Sequence, residues 1–246
     1  FMGLSAGIIA GLLLGLINGL NITVLKLQPV IATVAMLNVA RGLTFLLSNN
    51  QVITPLPDGY QFLGRGELFG ISNRIYLVFA LLIIGQLYLS HFISGRQMYA
   101  VGGDSEASHM SSIPVNRVKV TAYMISGLMA ALTGIVISGR ANSGQSTIGY
   151  YMELNTIAAA VIGGTSLQGG RGNLFNSFIG AIVITILSNA MNFAGLSPYL
   201  QEMSIGLIII VAVLIDNLQN IKEVRFKTLL LKLGIKNKPR MIEKGN

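Results

Sequence analysis

SGRQMYAVGGDSEASHMSSIPVNRVK, residues 94–119, is a polar island between two apolar runs, IYLVFALLIIGQLYLSHFI at 75–93 and VTAYMISGLMAALTGIVI at 120–137. A bilayer crossing takes about 20 apolar residues, so both flanks have spanning length and the island lies in water. It is not featureless linker. Gly102-Gly103 breaks the chain, Asp104 has the side chain to cap a helix start, and Pro114 disfavours helix at Ile113. Between these stops Ala107, Met110 and Ile113 recur every third residue, which places a small apolar stripe on one side of a short helix. A helix this short is marginal alone in water and needs a surface to rest against. A membrane protein that offers such a helix to the aqueous side implies a partner that pushes on it.

The composition agrees with a membrane setting. Of 246 residues, 52% are hydrophobic and 11% charged, against about 25% charged in soluble domains. The net charge of +8 does not read as nucleic-acid binding, because eight of the 17 basic residues fall in the tail 217–246. Such a tail anchors topology near anionic lipid. There is no cysteine, which excludes disulfides, thiolate metal sites and cysteine nucleophiles. Phe1-Met2-Gly3 enters an apolar stretch directly, without a basic region or cleavage site, so we expect no signal peptide and a chain that starts partway through a longer protein.

Expected spans are 3–20, 29–47, 75–93, 120–137, 154–164, 174–193 and 200–215, the fifth too short for a full crossing. The expected fold is therefore all-α, a polytopic transmembrane helical bundle of about seven spans, one of them short or broken. It divides into a membrane domain, 1–216, with the loop 94–119 in the cytoplasm, and a basic cytoplasmic tail, 217–246. With the tail inside, the segments 21–28, 94–119, 165–173 and 217–246 carry thirteen basic residues, whereas the outside segments hold Arg65, Arg74 and Arg140. That asymmetry is the positive-inside pattern.

The first span has glycine at every fourth position, Gly3, Gly7, Gly11, Gly15 and Gly19, a groove that admits another helix at backbone distance or lines a solute path. Asn18 and Asn21 share their spacing with Asn189 and Asn192, an echo of the kind that inverted repeats leave in transporters. Polar groups inside a membrane are costly unless they face protein or water. Asn38, Arg41, Asn155, Asn189 and Asn192 are thus the candidate pathway residues, whose alternative role is to hold helices together, or for Arg41 to snorkel. Glu153 fits a helix N-terminus. The run 163–172 lacks the Gly-Lys-Ser/Thr ending of a phosphate loop and reads as a turn. His91 and His109 lack ligand spacing, so no metal site is expected.

At GRQMYAVGGDSEA, 95–107, and IAAAVIGGTSLQGGRG, 157–172, supported by GLING at 15–19 and QPVIAT at 28–33, the chain resembles the permease subunits of bacterial ribose-type sugar ABC importers. The resemblance covers almost the whole chain, and members of that family have further N-terminal spans. It implies a multi-pass protein of the bacterial inner membrane, paired with a second permease subunit as a homo- or heterodimer. It also implies a cytoplasmic ABC ATPase that uses ATP and magnesium, and an extracytoplasmic sugar-binding protein. The chain itself would bind no cofactor and catalyse no reaction. Residues 102–113 become the coupling helix, with Gly102, Gly103, Asp104, Glu106, Ala107, Met110 and Ile113 seated in the ATPase. Many members read Ala-Ala-x-x-Ser-Gly-Ile here, and this chain departs from them at Ser112.

The expected function is inward movement of a monosaccharide by alternating access, driven by that ATPase. The alternatives are an ABC permease for nucleosides or a furanose-like signalling molecule, and a secondary transporter that needs no ATP. The latter would require an ion-coupling carboxylate in the membrane, and the spans offer no central Asp or Glu, since Glu202 and Asp216 lie at ends. An intramembrane enzyme is disfavoured by the absence of paired carboxylates, a histidine cluster or an activated nucleophile.

Overall fold

The structure, a computed structural model, describes residues 2–214; the basic tail expected at 217–246 lies outside them. In chain order the helices are α1 (Met2–Thr23), α2 (Pro29–Ser48), α3 (Asp58–Arg65), α4 (Asn73–His91), α5 (Ile93–Gly103), α6 (Ser105–Met110), α7 (Val115–Ala141), α8 (Met152–Ile162), α9 (Leu174–Phe193) and α10 (Pro198–Leu214). A two-residue hairpin, β1 (Glu67–Leu68) and β2 (Ile71–Ser72), precedes α4. Five of the helices, α1, α2, α4, α7 and α9, are long and apolar enough to cross a bilayer, and α8 and α10 are shorter apolar helices. The fold is a polytopic helical bundle, as expected.

Its burial pattern is that of a protein whose solvent is lipid. Ile84 and Ile186 are 63% and 62% exposed on spanning helices, which in hydrocarbon carries no penalty. The interior is built from small residues instead. The glycine ladder of α1 lies against α7: a Cβ on Gly11 would sit 2.6 Å from the Ala131 Cβ, one on Gly15 would sit 2.9 Å from the Met124 Cα, and one on Gly19 would sit 2.9 Å from the Val120 Cα. The register descends along α7 as it rises along α1, so the two helices are antiparallel at backbone distance. A second cluster joins α8 to α9, where Ala158, Ala159 and Ile184 are packed by Ala181 and by Ile209 from α10.

The connections gather at opposite ends. At one end the Ile53–Gly144 bridge, the Thr54 hydroxyl donating to the Asn142 carbonyl (3.0 Å) and Arg65 Nε donating to the Arg140 carbonyl (2.9 Å) tie the segment after α2 to the end of α7. Arg65 and Arg140 belong to the sparse basic set. At the other end lie α5, α6 and the glycine-rich connection between α8 and α9.

Three features differ from the sequence reading. Residues 93–103 form a helix of their own, because Phe92 is extended (φ −82°, ψ 144°) and Gly95 lets the chain fold back onto Tyr88 and Leu89. Gly102 and Gly103 therefore end α5, and the break falls one residue later, at Asp104. The expected helix over 102–113 shortens to α6, with Ile113 beyond its turn. The long connection between α2 and α4 also carries α3 and the hairpin, which no spanning periodicity announces.

Candidate functional site

The island builds its short helix from a cap. Asp104 is extended (φ −154°), and its Oδ1 accepts from the Glu106 and Ala107 N–H groups at 2.9 Å each. A carboxylate at this position satisfies two orphan donors and complements the helix dipole. Glu106 and Ala107 are exposed, Met110 is 79% exposed, and Ile113 is half-buried. The stripe thus presents Ala107 and Met110 outward. The inward anchor is Ser108, 5% exposed, a residue the sequence reading did not single out. The turn that follows places Ser112 at φ 60°, a left-handed conformation that favours glycine.

Behind α6 the island meets the glycine-rich connection. A Cβ on Gly102 would lie 2.8 Å from the Gly170 nitrogen, and one on Gly170 would lie 2.5 Å from the Gly103 Cα. Gly169 and Gly170 have φ 91° and 73°, so the contact needs glycine both for space and for backbone conformation. Tyr99 closes it, its hydroxyl donating to the Gly172 carbonyl at 2.9 Å. The two motifs that stand apart in the sequence are one structural unit.

The pathway candidates separate. Asn155 of α8 and Asn189 of α9 line a common groove of about 710 Å³, together with Thr133, Thr156, Thr185 and Ser188. The hydroxyls of Thr133, Thr156 and Thr185 are satisfied, donating to Met129, Met152 and Ala181 carbonyls at 2.7–2.8 Å. The side-chain amides of Asn155 and Asn189 have no hydrogen-bond partner among the described residues. The groove is in the usual size range of ligand sites and offers neutral donors and acceptors without a titratable group. The sequence reading named neither Thr185 nor Ser188, although 185, 188 and 189 share one helix face at i, i+3 and i+4.

The other candidates do not join it. Asn192 accepts from Gln201 Nε2 at 2.8 Å and so links α9 to α10. Asn38 is exposed on α2 and lines neither the groove nor the cavity among α1, α2 and α7. Arg41 does not snorkel free: its guanidinium lies 3.5 Å from the Glu153 carboxylate and 4.0 Å from the centre of the Tyr150 ring. A second cavity, about 530 Å³, lies among α1, α2 and α7 and is lined by Asn18, Thr33, Tyr123 and Ser126, as well as by Gly11 and Gly15. The Asn18 Oδ1 is shut from solvent without a hydrogen-bond partner. The first asparagine of each echoed pair therefore lines a cavity. Among the described residues no cluster of three His, Cys, Asp or Glu could hold a metal.

Five membrane-length helices, a neutral polar groove among them and a short capped helix at one end define a polytopic helical membrane protein. The chain belongs to the family of branched-chain amino acid transport system permease components, whose model matches residues 1–213. It is similar to the ribose import permease protein RbsC of Bacillus subtilis, 43% identical over 202 residues that make up 81% of this chain and 62% of the relative. The L-arabinose transport system permease protein AraH of Escherichia coli is 38% identical over 218 residues, 88% of this chain and 66% of that one. The RbsC of Haemophilus influenzae is 37% identical over 205 residues, 82% and 64% of the two chains. The chain thus spans less than two thirds of the length of these relatives. No solved structure matches it.

Proposed function

We propose that this chain is the membrane-spanning part of an ATP-driven importer of a monosaccharide, and that α6 is the element on which a cytoplasmic ABC ATPase acts. The carrying observation is α6 itself, a six-residue helix held by the Asp104 cap, with Ala107 and Met110 facing solvent. An exposed apolar stripe of this kind serves as a docking face. The relatives named for ribose import and L-arabinose transport support a monosaccharide as solute. The unpaired amides of Asn155 and Asn189 suit a polyhydroxylated molecule, which both donates and accepts hydrogen bonds.

In this reading the end bearing α6 faces the cytoplasm, as the density of basic residues favours. A second permease subunit and an extracytoplasmic binding protein complete the assembly, ATP and magnesium belong to the partner, and the chain itself is not an enzyme. ATPase closure moves α6, and the solute shifts the equilibrium by binding the outward and inward groove differently. The secondary-transporter alternative is disfavoured. The five membrane-length helices contain no Asp or Glu, and Glu153 is engaged by Arg41.

The absence of cysteine makes the test clean. Met110→Cys introduces a single thiol, which a membrane-impermeant maleimide should label in inside-out vesicles and not in right-side-out ones. With the partner ATPase and binding protein present, that labelling should stop uptake of radiolabelled ribose or arabinose, and Glu106→Lys should insert normally but take up nothing. Labelling from the exterior alone, or normal uptake by Glu106→Lys, refutes the assignment. ATP-dependent uptake of nucleosides in place of pentoses would reassign the solute.

A further inference from the structure

We infer that Gly102–Gly103 and Gly169–Gly170 form a rigid latch through which α6 and the α8–α9 connection move as one body. The inference rests on the reading of α6 as the force-receiving helix and extends it to the route the force takes. Gly170 and Tyr99 are positioning residues in this scheme, because neither touches the solute groove.

The contact is backbone against backbone. A Cβ on Gly169 would lie 3.0 Å from the Gly102 carbonyl carbon, and one on Gly170 would lie 2.8 Å from the Gly103 nitrogen. An interface of this kind has no side-chain rotamers to yield, so a displacement on one side passes to the other. Each side is also braced internally. On the α6 side the Ser105 hydroxyl donates to the Val101 carbonyl at 3.0 Å, and the Ser108 N–H to the Asp104 carbonyl at 3.1 Å. On the other side the Ser166 N–H donates to the Arg171 carbonyl at 3.1 Å, and the Gly169 N–H to the Ser166 carbonyl at 3.2 Å.

The loop is in turn fastened to both groove helices. The Thr165 N–H donates to the Ala160 carbonyl of α8 at 2.9 Å, the Thr165 and Ser177 hydroxyls share a 2.9 Å bond, and Asn173 Oδ1 caps α9 through the Phe175 N–H at 2.9 Å. A continuous run of short polar and backbone contacts therefore leads from α6 to the helices that carry Asn155 and Asn189. Coupling through such a contiguous network is physical only if both ends shift together, and that is the testable content.

Gly170→Ala drives a methyl into Gly103 at a φ of 73°, whereas Gly164→Ala has the same backbone strain at φ 80° with no heavy atom within 4 Å. The pair separates the contact from the conformation. In the full transporter, Gly170→Ala should lower ATP-dependent uptake by about tenfold or more while ATPase docking and hydrolysis persist, and Gly164→Ala should fall less than about threefold. Tyr99→Phe, which removes only the bond to the Gly172 carbonyl, should lie between them. Amide hydrogen exchange supplies the second arm. Protection over 99–104 and 166–172 should fall together in Gly170→Ala and in neither segment in Gly164→Ala. Loss of protection in one segment alone, or equal uptake by the two alanine variants, overturns the latch. A parent chain with joint protection but no ATP-dependent uptake overturns instead the reading of α6 as force-receiving.

Discussion

Arg41 and Glu153 lie 3.5 Å apart, joining the C-terminal half of α2 to the first turn of α8, with the Tyr150 ring stacked on the guanidinium. The carboxylate stands at a helix N-terminus, where the dipole favours it, and the cation is held by both an anion and a π-face. Beyond this pair, α2 and the α7–α8 connection are joined at the same end by the Ser48–Ser146 hydroxyl bond at 2.8 Å.

Both groups are partly exposed, at 27% and 38%, so the pair is worth little as an isolated contact. A double-mutant cycle of Arg41→Gln and Glu153→Gln in detergent should give a coupling of about 0.5–1 kcal/mol. The charge swap, Arg41→Glu with Glu153→Arg, should recover less than half of it because the carboxylate leaves the helix N-terminus. Thermal unfolding measures both, and a coupling indistinguishable from zero removes the pair as a link between α2 and α8.

The α1–α7 seam predicts opposite outcomes for two glycines. Gly15→Ala places a Cβ against the Tyr123 carbonyl and the Met124 Cα, and should destabilise the detergent-solubilised protein by about 1–3 kcal/mol. Gly134 of α7 has nothing within 4 Å of the same position, so Gly134→Ala should stabilise by about 0.5–1 kcal/mol through helix propensity. Midpoints from thermal melts decide the sign of each.

Loss of the α6 cap should be local. Asp104→Ala removes acceptance from two N–H groups at a cost of about 1 kcal/mol. Faster amide exchange at Glu106 and Ala107, with spanning helices unchanged, is the expected signature, and Asp104→Asn should retain most of the protection.

Ser112 makes the reverse prediction. It is a non-glycine residue at φ 60°, and Ser112→Gly relieves left-handed strain of about 1–2 kcal/mol, offset in part by the greater freedom of glycine in the unfolded chain. A net gain of about 0.5–1 kcal/mol in the exchange protection of 111–113 is expected. No gain would mean that the serine hydroxyl supports the turn.

An apolar run of membrane length can be satisfied in one way, as a helix with all of its backbone bonds internal. That is why spans expected at 29–47 and 174–193 match Pro29–Ser48 and Leu174–Phe193, and why the short fifth span emerges as Met152–Ile162. The Asp104 cap was legible for a similar reason, since its partners lie two and three residues away. The helix at 93–103 was not, because its start depends on how Gly95 packs against α4.

Among the pathway candidates, sequence spacing could not sort Asn155 and Asn189, which share the groove, from Asn192, which bonds to Gln201, or from Asn38 on an outer face. A hydrogen bond to a distant residue leaves no periodic trace. By itself the sequence determined the medium, the number and rough limits of the apolar helices, and the Asp104 cap of a short helix, since each follows from local composition and nearby backbone partners. Only the tertiary structure decided that Gly102–Gly103 abuts Gly169–Gly170, that Arg41 faces Glu153, and which amides converge. Those contacts depend on the relative placement of helices, which small residues permit and no local pattern encodes.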